Sequence, residues 1–146
     1  MPGCNIDHEA SLQFNTLRQH WKKKGYPSVD SDLASAYKEL AQDPLACHCK
    51  PAGRTNAILK EIAPDRDLVL HKYRYKDTAN REGAKGGWRI YAILDRASGT
   101  LYPIIVYPHK AWNDASPDYI QTCVDELMKI LKQRELDLNA ANNSGK

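Results

Sequence analysis

Along residues 11–23, SLQFNTLRQHWKK, the apolar positions Phe14, Leu17 and Trp21 return every three or four residues, and Gly25 and Pro27 follow closely. That period puts them on one stripe of a helix, which the glycine and proline end. Leu33, Tyr37, Leu40 and Ala41 repeat the pattern up to Pro44, with Asp30 or Ser31 as the cap, and predict a second helix antiparallel to the first. Residues 45–66, rich in Pro, Gly and polar side chains, read mainly as loop.

The pattern then changes from a period near 3.6 to a period of two. LVLHKYRYK (68–76), WRIYAIL (88–94) and TLYPIIVYPH (100–109) are three strand candidates, the last two joined by the turn DRASG. Short connections favour antiparallel pairing. Ser116 and Pro117 then open a third helix, as a capping residue and the residue tolerated at the first helical position. Ile120, Cys123, Val124, Leu127, Ile130 and Leu131 supply its apolar face, and from about residue 137 the tail has nothing to bury and is expected to fray. The predicted fold class is α+β: a small antiparallel sheet with two N-terminal helices and one C-terminal helix, packed on one sheet face.

Side chains alternate across a strand, so each strand divides into two lists. Lys72, Arg74 and Lys76 oppose Val69, His71, Tyr73 and Tyr75; Arg89, Tyr91 and Ile93 oppose Trp88, Ile90, Ala92 and Leu94; Ile105, Tyr107 and His109 oppose Tyr102, Ile104 and Val106. One face is apolar enough to receive helices. The other collects cations and aromatic rings.

Composition narrows the class. With 146 residues, 42% hydrophobic and 27% charged, residues 1–146 read as one soluble globular domain without repeats. The N-terminus lacks a basic region followed by an apolar stretch, and no run approaches the roughly 18 apolar residues of a membrane span, so the expected compartment is the cytoplasm, without a membrane partner. Cys4, Cys47, Cys49 and Cys123 are expected to be reduced thiols. In "CHC" at Cys47–Cys49, a single residue separates the cysteines, where structural zinc pairs usually leave two to four, and no metal is expected there.

The net charge is only +3, but from His71 to Arg89 six cations (Lys72, Arg74, Lys76, Arg81, Lys85, Arg89) face two anions (Asp77, Glu82). Cations on adjacent strands repel one another, and phosphate would relieve them. The bland alternative is a solvated face with snorkelling cations. With RNA as the partner, such a set can run transesterification at phosphorus without metal or other cofactor: a base takes the 2′-hydroxyl proton, cations stabilise the transition state, and an acid protonates the leaving oxygen. His109 has the imidazole for proton exchange. Lys72, Lys76, Lys85 and Lys110 are candidates to hold phosphates, and Tyr91 to orient phosphate or stack on a base.

LHKYRY (70–75), GAKGGWRIYAIL (83–94), TLYPIIVYPHK (100–110) and WNDASP (112–117), in this order and spacing, resemble the RelE/ParE superfamily of bacterial toxins, particularly its RelE-like and HigB-like branch. The resemblance spans roughly residues 12–131. It implies the α+β fold already read, cleavage of mRNA without metal, commonly in the ribosomal A site, and an antitoxin that restrains the toxin. By the same resemblance Arg74, Arg89 and Tyr107 fall on catalytic positions. Where relatives usually carry a lysine two residues beyond that tyrosine, this chain has His109, with Lys110 next, and Tyr91 follows Arg89 by two residues instead of three.

A second reading from another class stays open: a ParE-like protein acting on a topoisomerase, or an inactive relative that only binds its partner. Trp112 is either a base-stacking residue or a cover over the core edge. Gly86 and Gly87 either leave room for a nucleic-acid backbone beside Arg89, with 77–87 as a mobile basic loop, or simply bend the chain into a strand.

Overall fold

The computed structural model describes residues 3–51, 59–61, 63–112 and 115–144. They form an α+β fold: β1 (Asn5–Ile6), α1 (Leu12–Lys23), α2 (Val29–Gln42), β2 (Lys50–Pro51), β3 (Leu68–Tyr75), β4 (Trp88–Asp95), β5 (Thr100–Pro108) and α3 (Pro117–Ser144), with a further helical turn at 59–61. The sheet order is β1-β5-β4-β3-β2. The three long strands are antiparallel, as expected, whereas β1 runs parallel to β5, so the sheet is mixed. Two-residue strands such as β1 and β2 carry no periodicity. Nothing in their side chains distinguishes them from loop.

The three helix starts can be compared with their caps. Ser11 caps α1 by accepting from Phe14 N at 3.1 Å, and Ser116 caps α3 by accepting from Tyr119 N at 3.1 Å. α2 starts earlier than the expected Asp30 or Ser31, with Ser28 at the cap and both aspartates in its first turn. α3 runs on through Ser144, where a frayed tail from about 137 was expected. The segment has no proline or glycine before Gly145, and ion pairs from Arg66 to Glu135 and from Arg134 to Asp7 tie its approach to the body.

The expectation that all helices share one sheet face needs correction. α1 lies along β5, where Trp21 Nε1 donates to Val106 O at 2.9 Å, and α2 meets the Trp88 side through Asp32. Yet Leu70, Ile93 and Ile105, on the Arg89 side, are fully buried, and α3 begins beside Tyr107, whose hydroxyl accepts from Ala115 N at 3.2 Å. Helices therefore cover both faces. The charges that made this face look bare lie at one end of the strands; its other end is apolar and needs the stripe Ile120–Val124–Leu127–Leu131.

Register explains one further departure. Arg74, Arg89 and Tyr107 pair in one cross-strand row, and Lys72, Tyr91 and Ile105 in the next. Beyond Tyr91 the β4–β5 register shifts by one residue, so Tyr102 pairs with Ile93 and shares the face of Tyr107 instead of opposing it. A bulge reverses parity for every residue beyond it. No helix among the described residues is long and apolar enough to cross a membrane.

His71 is buried on the opposite face, with Nδ1 3.2 Å from the Tyr73 hydroxyl, which donates to Pro44 O at 2.8 Å. Burial first, and Arg96 second, lower its pKa. The unfolded chain then binds the proton more readily than the folded one. Stability is full above about pH 6.5, the ordinary value, and declines as pH falls toward the depressed folded value. Urea midpoints at pH 7.5 and pH 5 should differ more for the wild type than for His71→Gln; equal differences would exclude His71 as the source.

Candidate functional site

The link between β3 and β4 holds three of the six local cations, Lys76, Arg81 and Lys85, and it is a folded unit. Asp32, buried on α2, accepts from Ser28 Oγ (2.7 Å), Thr78 N (3.1 Å), Thr78 Oγ1 (2.7 Å) and Trp88 Nε1 (3.0 Å). Buried Asp77 accepts from Asn80 Nδ2 at 2.9 Å, lies 3.1 Å from the same Ser28 hydroxyl, and pairs across the link with Glu82. A buried carboxylate is tolerated when donors surround it, and these donors come from both ends of the link. The mobile loop expected for 77–87 is thus pinned to the start of α2.

Within this link Gly87 has a steric role. A Cβ there would overlap Tyr75 O and lie 2.8 Å from Asp77 N and 2.9 Å from Gly83 O, all backbone atoms. Only glycine lets the strand entrance pass so close to the neighbouring chain.

Arg89 completes the closure. It is 2% exposed, and its guanidinium donates to Ala84 O at 2.9 Å and to Lys85 O at 2.5 Å. The planar fork reaches back and ties down the loop that precedes its own strand. Arg89→Met should cost about 2–3 kcal/mol in urea unfolding, because two carbonyls lose their charged donor. Unchanged stability would mean that these carbonyls are satisfied without the guanidinium.

The other residues singled out from the sequence divide by location. Tyr107 is fully buried and, with its hydroxyl on Ala115 N, sets where α3 begins. Tyr91 is buried too, stacked on Tyr107 at 6.4 Å with Lys72 Nζ 5.6 Å from its own centroid. Trp112 packs against Tyr107, Tyr119 and Trp21 at 5.4–5.8 Å, the geometry of a cover over the core edge. His109 is half-buried at the end of β5 and donates its backbone N–H to Gly87 O at 2.9 Å. Lys110 is paired with Glu82, and Lys85 is exposed.

Arg74 and Lys76 have a different setting. They line a cleft of about 380 Å³ at the end of β3, together with Glu39, Cys47, His48, Tyr75, Gly83 and Ala84. Arg74 N donates to Cys47 O at 2.9 Å, which draws the CHC segment alongside the strand. Cys47 and His48 both have positive φ (57° and 54°), a conformation that non-glycine residues hold only when their surroundings impose it. The turn brings His48 to the cleft. Arg89, Tyr107 and His109 are not among the described residues that line it.

Two groups in the cleft are kept neutral. Tyr75 is pushed up to about 12, by desolvation first and then by the nearby Glu39 carboxylate. Cys47, with Sγ 3.9 Å from Glu39 Oε2, is likewise pushed up to about 12, by burial first and then by the Glu39 charge. The four cysteines are unbridged.

Sequence patterns pointed to Arg74 and Lys76 but not to their neighbours. Glu39 lies on the polar side of a helix, and CHC signals metal more readily than it signals an imidazole beside a strand end. Compared with known proteins, the chain matches no family model, no curated protein and no solved structure.

Proposed function

We propose that the chain is a metal-independent endoribonuclease of the RelE kind, the toxin of a type II toxin–antitoxin module, taking single-stranded mRNA into the cleft at the end of β3. The observation that carries this reading is the convergence of Arg74, Lys76 and His48 on one accessible cavity. An arginine fork suits the non-bridging phosphate oxygens, a lysine adds a second charge, and imidazole is the side chain suited to proton exchange at neutral pH.

In this mechanism the ribose 2′-hydroxyl loses its proton to a base and its oxygen attacks the adjacent phosphorus. The P–O5′ bond breaks, and the departing oxygen takes up a proton. Products are a 2′,3′-cyclic phosphate and a 5′-hydroxyl. Arg74 and Lys76 stabilise the charge that builds on the phosphoryl oxygens, and His48 exchanges the proton. Arg89 and Tyr107 act as positioning residues: one holds the loop carrying Gly83 and Ala84, the other the start of α3. An antitoxin partner covers the cleft at rest, and the ribosome presents the message.

One observation favours the second reading, a partner-binding protein without nuclease activity: Arg89 and Tyr107, both placed at the chemistry by resemblance, are buried within the fold. Cleavage mapping of mRNA, free and in a translation extract, separates the two. Wild type should cut, and Arg74→Ala and His48→Ala should each lose about 100-fold or more in rate. Intact message with the wild type, together with inhibited DNA supercoiling, would favour the binder. Undiminished cutting by both variants would move the chemistry elsewhere.

A further inference from the structure

We infer that the cleft is selective for guanine and that Glu39 is the residue that reads it. This inference rests on the RNA-binding reading above and goes beyond it by naming the base.

The charge pattern raises the question. A cleft that gathers Arg74 and Lys76 for phosphate would gain by excluding carboxylates, yet Glu39 lines it and is exposed. A carboxylate among nucleotides repels phosphates and base acceptors, and is favourable only where it meets N–H donors. Guanine alone presents two adjacent donors on its Watson–Crick edge, N1–H and the N2 amino group, spaced for the two oxygens of one carboxylate. Adenine and cytosine offer one amino group beside an acceptor ring nitrogen, and uracil one N–H between two carbonyls. In each of those a carboxylate oxygen would face a lone pair.

The surroundings of Glu39 prepare it for this role. Cys47, neutral at physiological pH, donates to the carboxylate with Sγ 3.9 Å from Glu39 Oε2 and limits its orientation. A carboxylate has about four acceptor sites, so this donor leaves room for a bidentate base edge. Tyr75 also brings an aromatic ring to the lining. A volume of about 380 Å³ is at the scale of a single nucleotide-sized ligand.

The test uses the full chain and the four nucleoside 5′-monophosphates, titrated by calorimetry and by amide chemical shifts, with an RNA oligonucleotide carrying all four bases in parallel. Guanosine monophosphate should bind about tenfold or more tighter than the other three, and its shifts should centre on the amides of Tyr75, Gly83 and Ala84. Glu39→Gln, at an exposed position, should keep the fold and level the four affinities to within about threefold. Arg74→Ala should weaken all four alike. Equal affinities in the wild type, or a guanine preference that survives Glu39→Gln, overturn the guanine inference and leave RNA binding standing. Failure of every nucleotide and of the RNA to bind overturns the RNA reading itself.

Discussion

Replacing Asp32 with alanine should cost the protein about 3–5 kcal/mol, because the donors that surround this buried carboxylate are left without an acceptor. Trp88 Nε1 bears most of that loss, since it is enclosed by the fold and cannot turn to water, whereas the exposed Thr78 can reach solvent and the hydroxyls of Ser28 and Thr78 can rotate. Asp32→Asn should cost less, about 1–2 kcal/mol, because one oxygen still accepts while the amide group faces a donor. Urea unfolding gives the size of the effect, and amide hydrogen exchange gives its place: protection should fall first at 77–88. A loss below about 1 kcal/mol for Asp32→Ala would mean that the link is held by other contacts.

Gly87→Ala should be comparably severe, at about 3 kcal/mol or more, by overpacking against backbone that has no rotamer to yield. Gly83→Ala is the control in the same loop. Nothing lies within 4 Å of its added Cβ, and its effect should stay within about 0.5 kcal/mol of zero, or stabilise slightly by restricting the unfolded chain. Thermal unfolding of the two variants side by side tests the contrast. If both cost the same, the loop is sensitive to glycine entropy in general and not to the close approach at Gly87. Both residues support the cleft from behind, since Asp32 and Gly87 fix the link whose Gly83 and Ala84 form part of its wall.

These two positions also show how unevenly the molecule can be read from its sequence. Asp32 is one of two aspartates in a helix with an ordinary apolar stripe; only the return of the chain at Thr78 and Trp88 makes it buried and multiply bonded. Gly87 stood out as half of a glycine pair, but its neighbours there, Tyr75, Asp77 and Gly83, are known only once β3 and β4 pair. Arg89 illustrates the limit best. Strand parity puts it on one face with Arg74 and Tyr107, and the register sets the three in one row. Parity assigns a face and leaves depth undetermined.

By itself the sequence determined which segments become helices and long strands, and which side chains share a face, because periods of 3.6 and two act locally and each residue carries its own polarity. It also located the cationic stretch around β3 and β4. Tertiary structure decided the rest: the bulge that moves Tyr102, the parallel β1, the second helical cover, the burial of Arg89 and Tyr107, and the meeting of Glu39 and His48 with Arg74 and Lys76. The physical reason is that burial and convergence are properties of pairs of segments far apart in the chain. No single segment encodes them.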